Sequence, residues 1–406
     1  MTTSLATGLR CRECHAPQVA GYVCNLCFGP LEVTYDYHRA PSRTQIANGP
    51  PSMWRYAALL PSYAPFSDPV DLGAGFTPLR PAPRLAEELG LAELYLKDDT
   101  RNPTGSFKDR VVSVALSAAR ALGYTTAACA STGNLATSLA AHAAHMGWPS
   151  LVIIPADLER SKIAMSAIFG GTVLAVSGSY DDVNRLCIEL ADENPGYAFV
   201  NINTRPYYAE GSKTIAYEIC EQLGWKTPGQ VVIPIASGSQ FTKIIRGFNE
   251  FIELGLATGP MPTFFGAQPE GCSPVATARA GALRDFTPVR PTTLVRSLAI
   301  GNPADGGYVL DYVAANNGDV VSVPDDETLE CVELIARTTG IFAELAGGVV
   351  VASLRKMIAA GSIDPTKSTV AVISGHGLKT LDAFTSASPT ATITPSLAAA
   401  QAALSK

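Results

Sequence analysis

Asn102-Pro103-Thr104-Gly105-Ser106-Phe107-Lys108-Asp109-Arg110 places a single lysine just past a Gly-Ser turn and at the start of an apolar helical run. The turn, residues 103–106, follows a short strand-like segment, residues 93–97 (ELYLK). The run behind it, roughly residues 110–122, carries Val111, Val112, Val114, Ala115, Leu116, Ala119 and Leu122, which reads as a buried helix. An amine at the mouth of such a helix has little room to solvate its charge. Burial and the positive helix end both favour its neutral form, a usable nucleophile toward an aldehyde. That is the chemistry of a Schiff-base lysine. A lone lysine at a helix start is usually only a solvated charge, so the reading depends on what accompanies it.

Two further turns share the layout. Ser131-Thr132-Gly133-Asn134 follows the apolar segment 126–130 and opens a small-residue helix, 135–146. Ala236-Ser237-Gly238-Ser239-Gln240 follows 230–235 (QVVIPI) and opens a helix over 241–254. A strand, a glycine-containing turn and a helix aim free backbone N–H groups at an anion, and two hydroxyls at 237 and 239 suit a dianionic phosphate. Asn134 offers an amide to a ring substituent. Ser374-Gly375-His376-Gly377 ends a last buried strand, 369–373, with a serine able to reach a heteroaromatic nitrogen. Each turn alone is weak, because such connections are common in α/β proteins.

Together, NPTGSFKDR, STGN, EGSKT (residues 210–214) and GHGLK (residues 375–379) resemble the pyridoxal-phosphate enzymes of fold type II, the tryptophan synthase β family, and within it most nearly the threonine synthases. The likeness runs from Met53-Trp54-Arg55-Tyr56 and Phe76-Thr77-Pro78-Leu79 to about Lys379. It implies an α/β fold of two intertwined open-sheet domains. It also implies that Lys108 holds pyridoxal 5'-phosphate covalently, with Phe107 near the ring and Asn134 on its 3'-oxygen. Residues Ala236, Ser237, Gly238, Ser239 and Gln240 would take the cofactor phosphate, and Ser374 would face the pyridine nitrogen. A neutral hydroxyl there suits elimination chemistry in which the lysine handles the protons.

A separate constellation lies at the N-terminus. Cys11-x2-Cys14 and Cys24-x2-Cys27 place four thiols within 17 residues, and paired knuckles of this kind let four thiolates converge on one Zn²⁺. Two disulfides or four idle thiols would fit the same spacing. The other five cysteines (Cys129, Cys187, Cys220, Cys272, Cys331) are scattered through apolar segments, and residues 1–10 do not read as a signal peptide. A reducing compartment therefore favours zinc over disulfides. With four sulfurs the metal would have no open position, so its role would be structural. Many threonine synthase-like chains carry such a ribbon, which the resemblance extends to this one.

Composition bounds the rest. A chain of 406 residues has room for two or three domains. Charged residues are 16%, against ~25% in ordinary globular proteins, which suits sheets buried on both faces. A net charge of −6 argues against a nucleic-acid partner. No apolar run approaches the ~18 residues of a membrane span, and a cytoplasmic enzyme is expected. Strand and helix segments alternate: 150–154 then 159–169, 172–176 then 180–193, 263–268 then 273–282. That rhythm predicts largely parallel sheets with ligands beyond the carboxyl ends of the strands. The expected organisation is a zinc-ribbon-like element over 1–38, a linker and arm over 39–75, an α/β domain with the lysine over 76–210, a second with the phosphate turn over 211–384, and a mobile tail over 385–406. The tail has a possible helix at 396–404. Residues 39–51 read as a plain linker, and the family suggests a homodimer.

The resemblance implies conversion of O-phospho-L-homoserine and water to threonine and phosphate, which requires a second anion site for the leaving phosphate. Lys108, Ser131 and Thr132 are near candidates, and Arg205 offers a planar fork suited to phosphate, although an isolated arginine is often a surface ion pair. Three stretches depart from the threonine synthase pattern. RPYYAEG stands where NPYRxEG is expected, with Tyr208 in place of the arginine. ASGSQ replaces GNAGN, and Glu344-Leu345-Ala346-Gly347-Gly348 replaces EPASA, so that Glu344 either closes the site or caps the following helix. Alternatives are a cysteate synthase-like enzyme acting on O-phosphoserine, a threonine or serine dehydratase, and a non-catalytic amino-acid sensor. Intact Lys108 and Asn134 argue against the last.

Overall fold

The strands Gln230–Pro234 and Thr369–Ile373 are buried along their whole length and form the middle of a six-stranded sheet. A strand covered on both faces can be almost wholly apolar, and these are, apart from Gln230 and Thr369 at their starts. In a computed structural model, which describes residues 4–405 apart from 20, 62–67, 132, 157–159, 178–179 and 385–388, that sheet runs Asp319–Val323, Thr263–Pro269, Gln230–Pro234, Thr369–Ile373, Leu94–Asp98, Leu79–Pro81. All neighbours are parallel except the edge strand Leu79–Pro81. A second sheet, wholly parallel, runs Thr172–Val176, Ser150–Pro155, Thr126–Ala130, Tyr197–Phe199. The two intertwined α/β sheets of fold type II are therefore present, each with helices packed against it.

Strand pairing brings distant turns together. Leu94–Asp98 lies beside Thr369–Ile373, so the turns that leave their carboxyl ends are neighbours. Phe107 N donates to Ser374 O at 2.9 Å, and His376 N to Gly105 O at 2.9 Å. The lysine turn and the GHGLK turn are thus stitched edge to edge. Gly105 holds φ +73° in this close approach, a backbone that side chains rarely tolerate.

At the N-terminus, Pro17–Gln18, Ala6–Cys11 and Leu31–Tyr35 form a three-stranded antiparallel sheet. Its Leu9, Leu31 and Val33 pack against Ala118 and Tyr207 of the catalytic body. Residues 39–51, expected to be a plain linker, instead contain the helix Arg43–Ala47. Ser42 and Gln45 close a reciprocal capping box on it, and Arg43 Nε donates to Leu256 O at 2.9 Å. The capping pair Ser-x-x-Gln was the overlooked signal. The expected helix at 159–169 is found as Arg160–Ala167, with residue 159 outside the described set. Near the C-terminus the helix Leu397–Leu404 forms with none of its residues buried. No described helix is long and apolar enough to cross a membrane.

Below the lysine turn lies a sealed charge network. Arg110 has no exposed side-chain surface and grips Asp99 through Nε and Nη2, both at 2.8 Å. It also bonds both oxygens of Glu218, Thr214 Oγ1 at 2.9 Å and Thr77 Oγ1 at 3.0 Å. Lys97 reaches Glu218 at 2.6 Å. Burial opposes ionisation of Glu218, but the Arg110 and Lys97 cations outweigh it and hold its carboxyl at about 2, below the usual 4.5. A folded value below the unfolded one means that the stabilisation is complete above about pH 5 and is lost as pH falls toward 2. Arg110→Ala would leave buried Asp99 without its cationic partner and Glu218 with Lys97 alone. It is expected to cost about 3–5 kcal/mol at pH 7, read from urea unfolding curves, with the gap to the parent protein shrinking as pH drops below 4.5. A gap that stays constant down to pH 2 would contradict this assignment.

Candidate active site

Lys108 is the first residue of the helix Lys108–Ala121 and is half-buried, less enclosed than its sequence setting implies. Its Nζ donates to the hydroxyl of Tyr208 at 2.8 Å and lies 4.6 Å from the centroid of the Phe107 ring. Tyr208 sits on the short helix Arg205–Glu210, started by Pro206 in its first turn. Asp109 fixes the turn around the lysine. It accepts from Thr104 N and Oγ1, both at 2.7 Å, and from Ser138 Oγ at 2.6 Å. One carboxylate therefore ties the lysine turn to the helix Asn134–His145, which Ser138 belongs to.

Asn134 opens that helix, and its Nδ2 donates to Glu344 at 2.9 and 3.2 Å. Ser374 Oγ lies 3.5 Å from the same carboxylate, and Glu344 N donates to Gly375 O at 2.8 Å. Gly375 leaves room for this carboxylate, because a Cβ would stand 2.4 Å from Glu344 Oε1 where it now lies. Glu344 holds the N-cap position of the helix Leu345–Ala359 but makes no side-chain cap bond. Of the two roles open to it, capping is excluded and its carboxylate faces Asn134. Burial pushes the Glu344 carboxyl up, with bonds from Asn134 and the charges of Lys379 and Lys108 only partly offsetting it. Ser131 is half-buried, its Oγ accepting from Gly133 N at 3.4 Å; Thr132 lies outside the described residues.

The turn 236–240 leaves the end of Gln230–Pro234 and starts the helix Ser239–Glu253. Gly238 stands at φ +89°, and a Cβ there would come within 2.9 Å of the Asp305 backbone. Asp305 N donates to Ser237 O at 2.8 Å. The Asp305 carboxylate, almost wholly buried, accepts from Arg12 Nη1 at 2.5 Å and from Arg205 Nη2 at 3.0 Å. Arg205 is thus partly committed to an ion pair, with its side chain still 37% exposed. Gln240 Nε2, Ser106 Oγ and Lys379 Nζ are buried with no hydrogen-bond partner among the described residues.

Lys108, Phe107, Asn134 and Ser374 are therefore brought together, and Arg205 lies one helical turn from Tyr208. Sequence reasoning missed Arg12 and Asp305 altogether and treated Tyr208 only as a missing arginine. For Tyr208 the signal was available: residues 205 and 208 share one face of a helix. For Arg12 and Asp305, 293 positions apart, no local signal exists. An amine, an amide, a neutral hydroxyl and a turn whose Gln240 Nε2 is buried and unpaired form a donor set suited to a phosphorylated heteroaromatic aldehyde.

The four cysteine sulfurs lie within 4.8 Å of one another, with Cys11 to Cys27 at 3.5 Å and Cys14 to Cys24 at 3.6 Å. Four sulfurs at ~2.3 Å from a tetrahedral ion would be ~3.8 Å apart, so the set fits a metal. Glu13 N points to Cys11 Sγ at 3.3 Å and Leu26 N to Cys24 Sγ at 3.4 Å, as amides do toward thiolates. The residues after each second cysteine, His15 and Phe28, both adopt positive φ, 59° and 60°. The two knuckles are equivalent turns.

Residues 70–375 match the family model described as pyridoxal-phosphate dependent enzyme. The chain is 38% identical to the threonine synthase of Methanosarcina acetivorans, over 91% of this chain and 92% of that protein. It is 36% identical to the threonine synthase of Methanocaldococcus jannaschii, over 94% of each, and 35% identical to that of Halalkalibacterium halodurans, over 81% and 90%. Among solved structures, threonine deaminase isoform 2 from Solanum lycopersicum aligns with a TM-score of 0.64 at 20% identity, over 76% of this chain and 87% of that one. O-ureido-L-serine synthase aligns with a TM-score of 0.65 at 20% identity, over 84% and 99%. At such identities these structures speak to the fold alone.

Proposed function

This chain belongs to the pyridoxal-phosphate dependent enzyme family, and from that premise we propose that it carries out the threonine synthase reaction, turning O-phospho-L-homoserine and water into L-threonine and inorganic phosphate. Its relatives with that activity are 34–38% identical over most of the chain. The observation that carries the reading is that one short helix, Arg205–Glu210, presents both a hydroxyl to Lys108 and a guanidinium one turn away. Proton transfer and phosphate recognition then share an element. A dehydratase has no leaving phosphate to hold.

Pyridoxal phosphate, when bound, supplies the electron sink for carbanions next to the amino-acid carbon. Lys108 would hold it, Asn134 and Ser374 would orient its ring, Phe107 would lie alongside, and the turn Ala236 to Gln240 would take its phosphate. The freed Lys108 amine removes the substrate's α proton, and the Tyr208 hydroxyl 2.8 Å away holds that amine in line and shares the proton. Arg205, with Ser131 and Thr132, binds the substrate phosphate and stabilises it as it leaves. Glu344, a carboxyl whose protonated form burial favours, closes the site beside Asn134. The proposed organisation places the lysine within residues 76–210 and the phosphate turn within 211–384.

The Cys11, Cys14, Cys24 and Cys27 set is read as a structural Zn²⁺ site, closed to substrate because sulfur fills all four positions. One zinc per chain by atomic absorption, lost in Cys11→Ser, is the expected result; metal-free protein with a full complement of reactive thiols would contradict it. A homodimer belongs to the same reading, and Leu26 and Phe28, 73% and 80% exposed on the ribbon, are suited to a partner surface.

Separate incubations with O-phosphohomoserine, with O-phosphoserine plus sulfite, and with threonine decide the substrate. Threonine and phosphate should appear only in the first, whereas 2-oxobutanoate from threonine alone would make the enzyme a dehydratase. Lys108→Ala should stay folded while losing the visible cofactor absorbance and turnover. Tyr208→Phe should keep that absorbance and nearly the same KM but lower kcat by about 100-fold, with a shifted pH–rate profile. An unchanged kcat and profile would remove Tyr208 from the mechanism.

A further inference from the structure

Arg12 lies between the first two cysteines of the ribbon, yet its guanidinium is spent on the catalytic body. It donates to Asp305 at 2.5 Å and covers the Tyr308 ring at 3.7 Å from the centroid. Glu13 accepts a hydrogen bond from the Tyr308 hydroxyl. Two consecutive residues of one metal knuckle thus grip the helix Gly306–Ala315 and the residue that precedes it. That preceding residue, Asp305, is the backbone partner of Ser237 and packs against Gly238, where no side chain would fit. A continuous line of contacts runs from Cys11 and Cys14 through Arg12 and Asp305 to the turn 236–240.

The charges along that line have a definite sign. Asp305 would stand as a lone buried carboxylate beside a turn suited to a dianion. Two guanidiniums, Arg12 and Arg205, meet its two oxygens and leave the group one positive charge. Removing Arg12 brings that sum to zero. It also leaves the nearly buried carboxylate with Arg205 alone, on one oxygen, so less of its charge is offset beside the turn, at separations where the interior screens poorly.

We propose that the cysteine ribbon is a clamp on the cofactor-phosphate turn, with Arg12 and Asp305 as positioning residues that transmit it. The inference rests on the reading of Ala236 to Gln240 as the phosphate turn. It gives the N-terminal knuckle a task in cofactor retention. The metal's part is to fix the Cys11–Cys14 loop, so that the Arg12 side chain is held against Asp305 at little cost in conformational entropy.

The test compares two vitamers on the full-length protein freed of cofactor: pyridoxal 5'-phosphate and pyridoxal, which lacks the phosphate. Dissociation constants come from the absorbance change on binding, and zinc content is measured on the same samples. Arg12→Ala is expected to weaken pyridoxal phosphate about ten-fold, leave pyridoxal unchanged and keep its zinc. In an Asp305→Ala background the same substitution should have no further effect on pyridoxal phosphate, since the partner is gone. Equal losses for both vitamers, no loss for either, or additive losses in the double variant would overturn the clamp. Parent protein that binds pyridoxal as tightly as pyridoxal phosphate would instead overturn the phosphate-turn reading beneath it.

Discussion

A guanidinium with no access to water fixes the geometry of everything above it. Arg110 follows Lys108 by two residues, and two carboxylates and two hydroxyls from three separate segments converge on it. Asp99 follows the strand Leu94–Asp98, Thr77 lies ahead of Leu79–Pro81, and Thr214 and Glu218 belong to the helix Lys213–Gln222. Such a charge is tolerated inside a protein only when every N–H finds an acceptor. The planar fork of arginine matches two carboxylates in a way no lysine could. The helix carrying the lysine is therefore locked in rotation and in height. Gly211 reinforces the lock, because a Cβ there would lie 2.5 Å from the Arg110 carbonyl oxygen. The segments that carry Tyr208 and Lys108 approach each other as closely as backbones can.

A second network lies on the ribbon side. Glu210 is bonded by Lys213 at 2.7 Å, Lys243 at 2.5 Å and the Tyr35 hydroxyl at 2.6 Å. Glu250 takes Lys213, Arg246 and Tyr37. Tyr35 and Tyr37 come from the ribbon and its exit, so this network joins the N-terminal element to the helices that start at 205, 213 and 239. Burial disfavours the Glu210 anion, but Lys213 and Lys243 more than repay that and hold its carboxyl well below the usual range. A chain with only 16% charged residues places many of them where they cost most to bury. The low charge count and the buried charges have one explanation: helices of small residues pack tightly enough to exclude water, and the ions left inside must pair.

Periodicity made the strands legible. The segments 126–130 and 369–373 were read with the bounds that are found, because a doubly buried strand announces itself as a nearly unbroken apolar run ended by a glycine turn; 172–176, an edge strand with no buried residue, was legible from its apolar run alone. The turns at Asn134, Ser237 and Ser374 were legible for the same reason. What stayed hidden were pairings whose partners are far apart in sequence. Arg110, Lys97 and Lys213 look like surface charges in a linear reading, and only three-dimensional pairing shows them buried. Sheet membership was hidden as well: Leu94–Asp98 precedes the second sheet in the chain but sits in the first beside Thr369–Ile373. Asp305 carries no motif, and its importance comes from standing next to Gly238.

The departures at 205 and 208 make sense as one change. An arginine at 208 would set its charge against Lys108, whereas the hydroxyl found there accepts from that amine. A cation removed from 208 can return at 205, on the same helical face, if something holds it and tempers its charge. Asp305 does so, and Asp305 in turn sits beside the turn 236–240, where an unneutralised buried carboxylate would be costly. One arginine with a free edge cannot both neutralise Asp305 and keep a full charge for another anion. Arg12 supplies the missing charge from outside the catalytic body. The tyrosine beside the lysine, the displaced arginine and the basic residue between Cys11 and Cys14 are therefore linked steps of a single electrostatic balance.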